Sequence, residues 1–149
     1  MSSGARDDFV ARAVKLHQQH TDIGFFAVVV NKQNVQAHIR KDPNLLYNYM
    51  IKLLLVKEMA KHPDVLLVPD PRTIKLESGN SMHDYLQTNL WFTERVPTVL
   101  TTKPRDSKKT LALQFADMLS GVVQSHFEDG NVDHLNGLAG SICLKRLFF

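Results

Sequence analysis

The stretch VLLVPDPRT, residues 65–73, decides how this chain is read. Val65 to Val68 is a short, β-rich apolar run of the kind that sheets bury. Pro69 ends it. Asp70 follows at once, and Pro71 keeps its backbone out of the helical region. An acid just past the carboxyl end of a buried strand stands where parallel sheets place ligands. The competing reading is a plain turn, because Asp-Pro is a common turn pair.

Working outward, the pattern recurs. Ile23 to Val30 (IGFFAVVV) reads as a strand buried on both faces, and Val96 to Thr102 (VPTVLTT) as a third strand. Helical spacing fills the intervals. Phe9, Ala13 and Leu16 mark a first helix over residues 8–17. Pro43 opens a long one, with Leu46, Met50, Leu53, Leu54 and Met59 on its buried side, and it stops before Pro63. Ser78-Gly79-Asn80-Ser81 reads as a turn, and Ser81 with Asp84 resembles a capping box opening a helix to about Phe92. Asp106 and Ser107 are N-cap candidates for a helix that ends before Gly130, with Leu111, Phe115, Met118, Leu119 and Val122 on one stripe. The tail from His134 to Phe149 reads as a short docking helix. Alternating helices and strands with long connections imply an α/β fold, a mostly parallel sheet flanked by helices, in a single domain over residues 1–149.

Composition bounds the function without naming it. The chain has 149 residues, 44% apolar and 22% charged, which suits one globular domain. Its 18 Lys and Arg against 15 Asp and Glu give +3, a balance that leaves nucleic acid open without demanding it. Cys143 is the only cysteine, which excludes an internal disulfide and a cysteine-built zinc site and fits a reducing, cytoplasmic setting. No apolar run approaches the ~18 residues of a membrane span. The first twenty residues carry Asp7 and Asp8 and no apolar signal core, so no secretory peptide and no membrane association are expected. Glycine-rich phosphate loops, nucleophile elbows and dinucleotide fingerprints are absent from the sequence.

Four groups of residues could carry chemistry. Asp70 is the first. Asp117 is the second, a poor helix former in mid-helix beside a small-residue row of Ala112, Ala116 and Ser120. That row implies close approach to a sheet, so Asp117 is expected to be partly buried and to need a metal or an Arg or Lys partner. Two carboxylates ~4 Å apart repel by roughly 4 kcal/mol at an effective dielectric near ~20, so if the two acids meet, a proton or a cation sits between them. The third group is Lys103, Arg105, Lys108 and Lys109, which Arg72 could join. Lysines in the first turn of a helix oppose its dipole, and a bound phosphate reverses that cost; a solvated basic loop is the plainer reading. The fourth group, His126, Glu128, Asp129, Asp133 and His134, has no standard ligand spacing and reads as a solvated turn. Trp91 and Phe92 read as core, and Cys143 as packing.

Three segments together resemble a known family. LLYNYMIKLLL, LLVPDPRT and DSKKTLALQFADMLSGVV, above all Asp106-Ser107-Lys108 followed by Gln114 to Met118, are similar to a large bacterial and phage family known as domain of unknown function number thirty-eight hundred. The resemblance covers roughly Ile23 to Phe127. It implies a ribonuclease H-like fold with carboxylates at strand ends that bind divalent metal, Asp70 matching the acid after the fourth strand and Asp117 the acid of the final helix. Family members begin with two further strands, the first carrying an Asp-Glu-Ser-Gly motif. This sequence lacks that motif, and Asn48 stands near the place of the fold's helical carboxylate.

The resemblance therefore implies a shortened ribonuclease H-like domain, non-catalytic or degenerate, that binds nucleic acid or protein. The alternative is a metal-dependent nuclease. There Asp70 and Asp117 hold Mg²⁺ or Mn²⁺, and Arg72, Lys108 and Lys109 lie on the substrate backbone. Missing strands would leave apolar sheet edges, which points to a homodimer or to a partner chain that supplies them.

Overall fold

In the computed structural model, residues 3–70, 76–130, 132–147 and 149 are described. The order is α1 (Ser3–Gln19), β1 (Phe25–Val30), α2 (Ala37–Arg40), α3 (Pro43–Met59), β2 (Asp64–Leu67), α4 (Leu76–Thr88), β3 (Val99–Thr102), α5 (Leu111–Asp129), α6 (Val132–Gly137) and β4 (Ile142–Leu147). The fold is mixed α/β with short parallel strands in two small sheets. β1 pairs with β4, and β2 with β3. The chain gathers into two compact units, Met1–Val29 with Gln114–Arg146, and Val30–Leu113 with Leu147–Phe149.

In the first unit three aromatic rings organise the core. Phe115 of α5 stacks at 5.0 Å from Phe9 of α1 and 5.1 Å from Phe25 of β1, both tilted, the geometry aromatic quadrupoles favour. Ala13, Leu119, Val122 and Leu138 close around them. Arg6 donates to the buried Ser125 hydroxyl at 3.0 Å. His134 of α6, 4% exposed, meets Asp7 of α1 at 2.8 Å. A Cβ on Gly137, at the same seam, would stand 2.8 Å from the Val10 Cγ1 methyl, so one of them would have to shift. The tail thus differs from the single helix expected: α6 is followed by a strand. Asn31 N–H donates to the Leu147 carbonyl at 3.0 Å, so β1 and β4 end level and run parallel. β1 finds its neighbour within the chain.

The second unit is a β2–α4–β3 crossover with α3 packed on α4. Asp42 caps α3 by accepting from Leu45 N–H at 3.1 Å, and Pro43 takes the first helical position. β2 and β3 are parallel with Asp64 opposite Val99 and Leu67 opposite Thr102. Val56, Met59, Met82, Leu86, Leu90 and Leu100 form the core on one face. The turn expected at residues 78–81 lies inside α4. Met82, Leu86 and Leu90 recur one turn apart and are fully buried, and that burial carries the helix through locally turn-forming residues.

α4 ends in a widened π turn, Asn89–Thr93. Asn89 donates its side-chain amide to the Tyr85 carbonyl at 2.8 Å, which competes with the helical bond to that oxygen, while Glu94 N–H reaches back to the Asn89 carbonyl at 2.9 Å. Arg95 then reverses the chain at φ 57°, and Val96 N–H closes on the Leu90 carbonyl at 3.1 Å. Gln87, buried, ties this helix to the strand. Its amide donates to the Thr98 carbonyl and accepts from Leu100 N–H, both at 2.8 Å. Burial, and then the neighbouring Tyr49, push the Tyr85 phenol above its ordinary range.

Three outcomes follow for stability. Arg95→Gly removes a left-handed strain of about 1 kcal/mol and raises the thermal midpoint. Gln87→Ala strands the Leu100 N–H in the core and lowers stability by about 2–3 kcal/mol in urea titration. A raised phenol pKa means the folded state holds its proton more tightly. The Tyr85 contribution is therefore full below pH 10.0 and is lost as pH rises through the folded value. Tyr85→Phe accordingly loses less of its melting temperature than the parent between neutral and strongly alkaline pH.

Candidate nucleic-acid interface

The parallel ladder of β2 and β3 does not stop with the strands. Lys103 N–H donates to the Leu67 carbonyl at 2.9 Å, and Arg105 N–H to the Pro69 carbonyl at 3.2 Å. The two segments leaving the sheet at its carboxyl end are thereby held side by side. Asp70 follows one of them and Asp106 the other. Crevices outside the carboxyl ends of parallel strands are where open α/β sheets bind ligands.

Asp106 then builds a one-turn 3-10 helix, Ser107–Lys109. Its carboxylate accepts from Lys108 N–H at 2.9 Å, and its carbonyl from Lys109 N–H at 3.1 Å. It caps this turn rather than α5, which begins only at Leu111. Lys108 and Lys109 therefore precede α5 rather than lying in its first turn. Lys103, Arg105, Lys108 and Lys109 are all exposed. Among the described residues, Lys103, Arg105 and Lys109 make no ion pair. From the α4 side, His83 Nδ1 lies 2.9 Å from the Thr102 hydroxyl at the end of β3, a contact that no local sequence pattern announced. The arrangement offers exposed cations and hydrogen-bonding polar groups at one end of a parallel strand pair, which suits phosphate oxygens.

The other expected residues fall elsewhere. Asp70 is half-buried and already engaged. Arg72 lies outside the described residues. Asp117 is exposed, not partly buried. It stands two residues before the buried Leu119, about 160° round the helix at ~100° per residue. The small row of Ala112, Ala116 and Ser120 is exposed too, because α5 turns Phe115, Leu119 and Val122 inward instead. Asp70 belongs to one unit and Asp117 to the other, so neither unit by itself holds the pair. Among the described residues no three His, Cys, Asp or Glu side chains gather as ligands of Mg²⁺ or Mn²⁺ would. The single carboxylate that each unit contributes does not by itself fit a two-metal centre.

Three plainer readings also change. His134 is buried against Asp7, not in a solvated turn. Trp91 and Phe92 are exposed, and the Trp91 indole N–H donates to the Thr98 carbonyl at 3.0 Å. Cys143 is exposed rather than packed. Among the described residues no helix is long and apolar enough to cross a membrane. No protein-family model, no curated protein and no solved structure matches this chain.

Proposed function

We propose that this protein is a non-catalytic nucleic-acid-binding module, a degenerate and shortened relative of ribonuclease H-like domains, working in the cytoplasm. The observation that carries the reading is the set of four exposed cations, Lys103, Arg105, Lys108 and Lys109, at the carboxyl end of the β2–β3 pair. Phosphate backbones are bound by such clusters through counterion release. The mild positive charge of +3 supports steering towards a polyanion. The crossover α/β unit and the resemblance of its segments to the family of domain number thirty-eight hundred support the fold relation. The exposed thiol of Cys143 suits a reducing compartment.

Metal-dependent phosphodiester hydrolysis through Asp70 and Asp117 is the second reading. The place of Asp70 beyond β2 favours it.

Fluorescence anisotropy with a labelled oligonucleotide separates the two. Binding is expected to survive EDTA and to weaken with salt. Lys108→Ala with Lys109→Ala should lower the slope of log affinity against log salt by about 1–2 and cost roughly tenfold or more in affinity. Lys15→Ala, on the other unit, should change neither. Absence of binding at low salt sinks the proposal. Mn²⁺-dependent cleavage that Asp70→Asn abolishes would establish the second reading in its place.

A further inference from the structure

The β2–β3 sheet has two edges, and they are treated differently. The outer edge of β3 is met by the Gln87 amide. The outer edge of β2 pairs with no strand among the described residues. Its direction is set by the ladder on the other side. The carbonyls of Pro63, Leu67 and Pro69 face β3, accepting from Val99, Lys103 and Arg105. With the two-residue period of a strand, the N–H and C=O groups of Asp64, Leu66 and Val68 point away from β3. Leu66 is 56% exposed. An apolar cleft of about 210 Å³ opens beside this edge, between α3 and β2, lined by Leu55, Met59, Val65 and Leu67.

The prolines that bound the edge are placed symmetrically about Leu66. The edge reads Pro63-Asp64-Val65-Leu66-Leu67-Val68-Pro69. The geometry points to a second copy of this chain as the occupant, paired antiparallel, β2 to β2, about a two-fold axis at Leu66. In that register Leu66 faces Leu66 of the second copy and Asp64 faces its Val68. These are the three residues whose backbone groups point outward, so each pairing exchanges two hydrogen bonds. Pro63 faces Pro69 of the second copy in the alternate positions, where the ladder asks for no N–H. The missing proline donors therefore cost the seam nothing. An isologous contact of this kind closes on itself and leaves no further edge to propagate. A single short strand pair holds weakly on its own, so association belongs to concentrated solution.

Sedimentation equilibrium of the whole chain tests this, from about 5 µM to about 500 µM. The mass is expected to rise from 16.9 kDa towards twice that value. Leu66→Lys keeps the backbone donor but sets two charges against each other across the axis. It should weaken association at least tenfold with an unchanged circular dichroism spectrum. In a Cys143→Ser background, Leu66→Cys should cross-link two chains on oxidation, and Val99→Cys, one strand removed, should not. A monomer at the highest concentration overturns the proposal. So does a dimer that Leu66→Lys leaves intact, or one that cross-links through Val99→Cys as readily as through Leu66→Cys.

Discussion

The Gln87 amide against the outer edge of β3 is the constraint on which the second unit depends. A two-stranded sheet exposes backbone donors and acceptors on both sides, and a buried one left unmade costs about 1–3 kcal/mol. The side-chain amide of Gln87 carries one donor and one acceptor, as a peptide group does. Placed opposite Thr98 and Leu100, it does the work of a third strand at a single position. Thr98 completes the joint by donating its hydroxyl to the His62 carbonyl at 2.7 Å, just before β2 begins. Helix, strand and loop are locked at one point, and among the described residues the outer edge of β2 pairs with no strand.

Much of this organisation was legible in the residues. The runs IGFFAVVV and VLLV are short, β-branched and closed by glycine, proline or polar residues, and both are strands. The alternation of helices with strands foretold parallel pairing. β4 was not legible, because adjacent Lys145 and Arg146 break the two-residue rhythm and the glycines at 137 and 140 read as interruptions of a helix. Ser78-Gly79-Asn80-Ser81 has turn chemistry in isolation. Only the burial of Met82, Leu86 and Leu90 against α3 and β3 overrides it, and that is a tertiary fact.

The candidate site divides in the same way. Asp70 could be set at the end of a parallel sheet because proline and a short apolar run mark where its strand stops. The orientation of Asp117 could not. α5 offers two plausible inner faces, one of small residues and one of large ones. The choice is made by Phe115, whose ring stacks against both Phe9 and Phe25 and so fixes the rotation of the helix. Residues 90 and 106 positions away in the chain decide which way the acid points. Likewise, the role of Asp106 turns on one intervening 3-10 turn, a distinction of a few residues that capping patterns do not resolve.

The basic end and the open edge of the second unit are geometrically independent. The first lies along the strand axis, beyond Thr102 and Pro69; the second lies across it, beside Leu66. A polyanion at the carboxyl ends therefore leaves the β2 edge clear, and a strand on that edge leaves the cations clear. Antiparallel pairing also turns the two carboxyl ends away from each other, towards opposite ends of the joined sheet. Two copies then present separate basic clusters rather than one enlarged patch. On the two proposals taken together, affinity for a short oligonucleotide should depend on the single chain, and avidity should arise only on strands long enough to reach both ends.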